Sequence, residues 1–149
     1  MTIKYGHTNI IAQDWKQLAN FYESVFNCLL VPPQRDQQGE WLDKGTGVKN
    51  AHLQGVHLRL PGYGATGPTL EIYQYSEMIH SEKNFPNKQG FGHIAFQVDP
   101  IEELLELALK KGASKIGELS EHLVENVGLL KFIYISDPEG NIIELQNWS

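Results

Sequence analysis

The most constraining feature of this 149-residue sequence is a repeated order in which a strand beginning near a histidine leads into a helix. In the first half His7 stands seven residues before Asp14, the predicted cap of the first helix (14 − 7 = 7). In the second half His93 stands six residues before Asp99, the predicted cap of the next helix (99 − 93 = 6). A repeat of this kind is the signature of a duplicated structural unit.

Each half also closes on a strand with an internal glutamate, Glu71 in TLEIY and Glu144 in NIIEL. The spacing from histidine to glutamate is 64 positions in the first half (71 − 7) and 51 in the second (144 − 93). Two loops rich in Gly, Pro or polar residues, 32–49 and 61–68, account for the longer first half. We therefore predict a single domain over residues 1–149, made of two βαβββ modules at residues 1–83 and 90–149.

The apolar spacing predicts two helices, one beginning after Asp14 and one beginning after Asp99-Pro100. Asp14 and Asp99 are the expected N-caps, and Lys110-Lys111-Gly112 is the expected end of the second helix. We expect the segment Pro32–Lys49 to form an excursion or lid. Strands are predicted at residues 4–12, 28–31, 56–60, 69–75, 92–98, 131–136 and 141–147, with a weaker signal at 115–119 or 123–127.

The charge and cysteine content exclude several classes of protein. The net charge is −6 and the positive charges are scattered, so nucleic acid is not an expected partner. No apolar run reaches the ~18 residues needed to span a bilayer, so no membrane association is expected. The single cysteine, Cys28, excludes an internal disulfide and a CxxC metal site, and a reducing cytoplasm is the simplest location.

Alternation along the predicted strands places His7, Glu71, His93 and Glu144 on mixed faces, opposite aliphatic faces suited to packing on helices. Any one of these residues alone is more often structural or solvated than a ligand. Their repetition at matching places favours a site for a divalent cation, with Zn, Ni, Co, Mn or Fe suited to imidazole and carboxylate donors. The other four histidines lack such counterparts and are interpreted as surface or structural residues: His52, His57, His80 and His122.

The segments HTNIIAQDWKQLANFYESVF, GVHLRLPG with TLEIYQY, GFGHIAFQVD and YISDPEGNIIELQNW resemble the successive motifs of the vicinal oxygen chelate superfamily. That superfamily includes glyoxalases, extradiol dioxygenases and the fosfomycin and bleomycin resistance proteins. The resemblance implies an α+β fold in which two βαβββ modules form an open, cupped eight-stranded sheet with helices outside. It also implies that His7, Glu71, His93 and Glu144 are the metal ligands.

The resemblance further implies a glyoxalase-like lyase or isomerase that acts on a small oxygenated carbonyl substrate through a metal-stabilised enediolate or enolate. Glu144 is the implied ligand and base, and Glu71 is the second catalytic carboxylate. An extradiol-type dioxygenase and a drug-binding or drug-modifying resistance protein remain as alternatives. The paired modules are compatible with closure within one chain or between the two chains of a homodimer. We expect substrate specificity to lie in Pro32–Lys49 and Ser76–Gln89.

Overall fold

A computed structural model describes residues 1–80 and 82–149 of the chain. The chain divides into two compact units, Met1–Ser81 and Glu82–Ser149, and each unit carries its own sheet. Ser81, which belongs to the predicted specificity segment Ser76–Gln89, lies outside the described residues. No helix among the described residues is long and apolar enough to cross a membrane.

The first unit is a four-stranded sheet in the order β1-β4-β3-β2. Strand β1 pairs in parallel with β4, whereas β4, β3 and β2 are antiparallel neighbours. Helix α1 packs against β3 and β4 and connects β1 to β2. The elements are β1 (His7–Ile11), α1 (Trp15–Phe26), β2 (Leu29–Gln38), α2 (Glu40–Thr46), β3 (His52–Arg59) and β4 (Thr69–Tyr75).

Helix α1 forms where the sequence predicts it and for the predicted reasons. The Asp14 side chain accepts hydrogen bonds from the backbone N–H groups of Lys16 and Gln17, which have no partners within the helix. Asn27 ends the helix in the left-handed conformation. The apolar stripe is buried, and it supplies much of the first unit's core: Trp15, Leu18, Ala19, Phe21, Tyr22, Val25 and Phe26.

The second unit has the strand order β5-β9-β8-β6, with β7 also paired to β8. Strand β5 is parallel to β9, and the other pairs are antiparallel. Helix α3 packs against β9. The elements are β5 (Ile94–Gln97), α3 (Ile101–Lys110), β6 (Ser114–Lys115), β7 (Ser120–Val124), β8 (Gly128–Ser136) and β9 (Ile142–Trp148).

Over the described residues the α+β prediction is confirmed, with a strand–helix–strand order in each unit. The described residues form nine strands rather than eight because a strand forms near each of the two alternatives for the weak strand. Ser114–Lys115 and Ser120–Val124 each pair with β8, so the second unit has one more strand than predicted.

Two local predictions are wrong. Asp99 does not cap α3: the cap position is Pro100, and there is no side-chain cap hydrogen bond. The predicted excursion or lid at Pro32–Lys49 does not begin at Pro32, because β2 continues through Gln38 and is followed by α2. Leu42 of α2 is buried with Ala51 and Leu53, so an apolar contact fixes the segment to the sheet.

Candidate functional site

The first predicted histidine and glutamate lie together in the first unit. His7 Nδ1 is 3.3 Å from Glu71 Oε1. The Glu71 residue is only 7% exposed, while the His7 side chain is 51% exposed. A buried carboxylate is costly unless charged or polar groups surround it, so a partly solvated histidine against it indicates a site rather than a core contact.

The second predicted pair lies together in the second unit. His93 Nε2 is 2.8 Å from Glu144 Oε2, and the two side chains are 31% and 15% exposed, respectively. The His93 ring also contacts the ring of Tyr134, with their centroids 4.8 Å apart. Tyr134 pairs directly with Glu144 across β8 and β9, and burial followed by the negative charge of Glu144 raises the pKa of Tyr134. His93 itself stands just before β5 rather than within it.

The two pairs have the same position in the two parallel ladders. Asn9 is the cross-strand partner of Glu71, and His7 stands two residues before Asn9. Ala95 is the cross-strand partner of Glu144, and His93 stands two residues before Ala95. Because side chains alternate with a period of two, this offset puts each histidine on the same sheet face as its glutamate. The repeat seen in the sequence is therefore also a repeat of geometry.

A histidine interpreted from the sequence as a surface or structural residue contacts the pair of His7 and Glu71. His57 is the partner of Glu71 in the β3–β4 ladder, and its Nε2 is 3.2 Å from Glu71 Oε1. The same nitrogen is hydrogen-bonded to the hydroxyl of Tyr73 at 2.6 Å. One sequence signal pointed to this pairing, because His57 and Glu71 are equally distant from Gly64 in the turn between their strands. That signal needs a symmetric hairpin, and a sequence alone does not guarantee one.

Burial and the charges near Glu71 shift the pKa values of His57 and Tyr73. Burial is the largest cause lowering the pKa of His57; the Glu71 carboxylate opposes it, and the charges of Arg35 and His7 add to the lowering. Burial and then Glu71 raise the pKa of Tyr73, while Arg35 counteracts them. Arg35 lies on β2 opposite Gly55, which is itself opposite Tyr73. The surroundings of Glu71 in the first unit thus include two imidazoles, a phenol and a guanidinium.

The donors in each unit suit a metal ion but do not complete a site. Imidazole nitrogen and carboxylate oxygen are the donors that Zn, Ni, Co, Mn and Fe accept, so the donor chemistry fits. Among residues 1–80 and 82–149, no group of three or more His, Cys, Asp or Glu side chains is arranged to hold a metal ion. Each unit therefore contains one of the two histidine–glutamate pairs predicted from the sequence.

His52, Cys28 and the two predicted specificity segments make contacts other than those around Glu71 and Glu144. His52 bonds through Nε2 to Asp36 at 2.7 Å and through Nδ1 to the Ser76 hydroxyl at 3.0 Å, so it links three chain segments away from Glu71. Cys28 is buried. Residues from the two predicted specificity segments do line one cavity of about 260 Å³, which includes Val48 and Lys49 on one side and Glu77, Met78 and Ile79 on the other.

The sequence matches one family of known proteins over most of its length. Residues 4–145 match the profile of the Glyoxalase/Bleomycin resistance protein/Dioxygenase superfamily. The chain belongs to this superfamily. The predicted resemblance is confirmed, and the match extends over both units and both histidine–glutamate pairs.

Individual relatives are distant. The chain is 25% identical over 158 aligned positions to a lactoylglutathione lyase of Schizosaccharomyces pombe, covering 99% of this chain and 48% of that protein. The chain thus spans about half the length of this curated relative. A glyoxalase family protein of Bacillus cereus has the same fold, with a TM-score of 0.77 at 20% identity, covering 98% of this chain and 93% of that one.

A fosfomycin resistance protein of Listeria monocytogenes, solved with Mn(II) and a sulfate ion, is a more distant structural relative. Its TM-score is 0.56 at 15% identity, and the match covers 100% of this chain and 95% of that one. At this identity the similarity shows a common fold and nothing about the ligand of the present chain.

Proposed function

We propose that the protein is a metal-dependent, glyoxalase-like lyase or isomerase that acts on a small oxygenated carbonyl compound. The observation that carries the proposal is the identical two-residue offset of His7 from the partner of Glu71 and of His93 from the partner of Glu144. A structural histidine at one strand start is common, but a histidine–glutamate contact at the corresponding ladder position in both units, through Nδ1 of His7 and Nε2 of His93, favours a shared role. Membership of the superfamily and the distant lyase relative support it.

In this proposal His7, Glu71, His93 and Glu144 are the ligands of one divalent ion of Zn, Ni, Co, Mn or Fe, two from each unit. The proposal does not depend on whether the two pairs of one set belong to one chain or to the two chains of a homodimer. When bound, the ion supplies Lewis acidity that stabilises negative charge on substrate oxygens. Glu144 removes and returns the substrate proton, and Glu71 is the second carboxylate able to exchange a proton at the site.

Metal content tests the ligand set directly. His93→Ala and Glu144→Ala are expected to lose the metal that the wild-type protein retains when purified without chelator, because each removes one donor from a four-donor set. His122→Ala, on the exposed strand β7, is the matched control and is expected to keep full metal content. Full occupancy in both site variants would refute the proposed ligands.

The role of Glu144 as a base needs a separate measurement, because loss of a metal ligand lowers metal content whereas loss of a base lowers turnover. Glu144→Gln keeps an oxygen donor but cannot accept a proton, so we expect retained metal and a loss of turnover by about 100-fold or more. Thioesters of glutathione and other 2-oxoaldehyde-derived substrates form the first screen, since the curated relative is named for lactoylglutathione. Unchanged turnover by Glu144→Gln would remove its role as base.

Metal identity separates this proposal from its alternatives. Activity with Zn, Ni or Co supports the lyase or isomerase, whereas oxygen consumption that requires Fe(II) would identify a ring-cleaving dioxygenase instead. Tight binding of a drug-like ligand by metal-free protein would point to a resistance protein that acts by sequestration.

A further inference from the structure

We infer that His57, held by Tyr73, is a positioning residue that fixes the Glu71 carboxylate in place for its ligand role. The inference rests on the proposed function, because Glu71 is one of the four proposed ligands. It adds a residue to the site that neither the sequence motif nor the superfamily match assigns.

The contacts around Glu71 form a short chain across two strands. His57 Nε2 is 3.2 Å from Glu71 Oε1, on the oxygen that also faces His7 Nδ1 at 3.3 Å. His57 is the direct cross-strand partner of Glu71, so the ladder of β3 and β4 sets their separation. Two imidazoles that converge on one carboxylate oxygen restrict the rotation of that carboxylate.

Tyr73 fixes the imidazole in turn. Its hydroxyl is 2.6 Å from His57 Nε2, and its ring packs against the buried cluster of Leu42, Ala51 and Leu53. Tyr73 shares a strand face with Glu71 because the two are separated by two positions. The hydroxyl is therefore held by the apolar packing of its own ring, and the histidine cannot turn without breaking this bond.

Gly55 makes room for this arrangement. Gly55 is the cross-strand partner of Tyr73, and a Cβ added at Gly55 would lie 2.4 Å from Tyr73 Cδ1 and 2.0 Å from the carbonyl oxygen of Ile72. A larger residue would push the tyrosine ring away from its position above the strand. The glycine is thus needed for the close approach that lets Tyr73 reach His57.

Among its described residues, the second unit has no histidine–tyrosine pair equivalent to His57 and Tyr73. The cross-strand partner of Glu144 is Tyr134, whose ring contacts His93 rather than bonding to a second histidine. Glu71 therefore contacts two imidazoles, whereas the corresponding contacts of Glu144 are one imidazole and one aromatic neighbour. This asymmetry makes Glu71 the more constrained of the two carboxylates and is consistent with Glu144, which contacts one imidazole, being the main proton-transfer group.

The test is metal affinity in matched variants of the full chain, measured by calorimetry with Zn²⁺ on protein first stripped of metal. Loss of an outer partner of a ligand typically weakens metal binding by about 10- to 100-fold, and we expect losses in this range for His57→Leu and Tyr73→Phe. His57→Gln is expected to recover part of the loss because its amide nitrogen can take the place of Nε2. His52→Gln, on the same strand, is the control and is expected to bind Zn²⁺ like the wild type.

A second readout does not need the metal. In metal-free protein with ¹³C-labelled glutamate, the Glu71 carboxyl signal is expected to shift in His57→Leu and Tyr73→Phe but not in His52→Gln. If folded wild-type protein binds no Zn²⁺ but these shifts occur, the proposed function fails while the contact between His57 and Glu71 stands. An unshifted Glu71 signal, or Zn²⁺ affinity within twofold of wild type in both His57→Leu and Tyr73→Phe, would overturn the inference.

Discussion

Replacing Asp137 with alanine is expected to destabilise the turn that leads into β9, the strand carrying Glu144. Asp137 is only 2% exposed. Its Oδ1 accepts hydrogen bonds from the backbone N–H groups of Glu139 and Asn141, both at 2.9 Å, and its Oδ2 accepts one from Asn141 Nδ2 at 2.8 Å. These three bonds tie the buried carboxylate to the backbone and to a side chain of the turn DPEGN.

The magnitude follows from those three bonds. Each contributes a net of about 1 kcal/mol or slightly more, so Asp137→Ala should lower the free energy of unfolding of the second unit by roughly 3 to 4 kcal/mol. Asn141→Ala removes only the side-chain bond and should cost about 1 kcal/mol. Asp99→Ala is the matched control, since Asp99 makes no cap bond to α3, and should change stability by less than about 0.5 kcal/mol.

Hydrogen exchange of the backbone amides in β8 and β9 measures these differences within the second unit. The buried residues Ile135 and Ile143 lie in the centre of this ladder and supply the slowest-exchanging probes. A loss of 3 to 4 kcal/mol corresponds to exchange faster by about 100- to 1000-fold. Exchange less than about fivefold faster in Asp137→Ala, or an Asp99→Ala variant that is as strongly affected, would refute the reasoning.

Further predictions concern three residues, Cys28, Gly55 and Asp14. Burial, and to a lesser degree the charge of Glu23, raise the pKa of the Cys28 thiol from 9.0 to about 12, so the folded protein should resist a thiol reagent at pH 8 and react fully once denatured. Because the unfolded thiol ionises first, stability should also fall as the pH rises from 9 towards 12, a slope that Cys28→Ala should lack in denaturation experiments. Gly55→Ala should lower the melting temperature by several degrees, since its Cβ would meet the Tyr73 ring and a carbonyl oxygen; an unchanged melting temperature would show that the strand relaxes freely. Asp14→Ala should cost about 1 kcal/mol in urea denaturation, since it removes two cap bonds from α1, and no measurable loss would contradict that role.

Much of the architecture could be predicted because it depends on local periodicity. The α1 boundaries, its Asp14 cap and the strand Thr69–Tyr75 follow from apolar spacing and cap chemistry, and the structure agrees with them. Asp99 failed as a cap although the same reasoning favoured it. Pro100 follows it directly, and the helix begins only at Ile101, so the Asp99 side chain is one position too far from the first turn.

The segment 32–49 was harder because tertiary contacts decide its structure. Strand β2 runs through Pro32 and Pro33 at a sheet edge, where missing N–H groups cost little, and its register with β3 shifts between Val31 and Arg35. Helix α2 is only seven residues long and depends on burying Leu42 against Ala51 and Leu53. Neither the edge position nor that contact can be read from the local sequence.

The candidate site was predictable where it repeats and hidden where it does not. His7, Glu71, His93 and Glu144 could be found because each has a counterpart in the other half, and the structure brings each histidine to the glutamate of its own unit. His57 has no counterpart, since the matching position holds Tyr134. Its role depends on the register of β3 against β4, which cross-strand packing determines.

The shared offset between histidine and glutamate has a consequence for the kinds of sequence change that such a chain tolerates. Pairing between β1 and β4 sets the distance from His7 to Glu71, so the loops among the 63 intervening residues (71 − 7 − 1) can gain or lose residues without moving either side chain. A single residue inserted between His7 and Asn9 would instead turn the imidazole to the opposite side of the sheet. The even spacing of His7 from the residue that pairs with Glu71, rather than the spacing along the chain, is what keeps this pair intact.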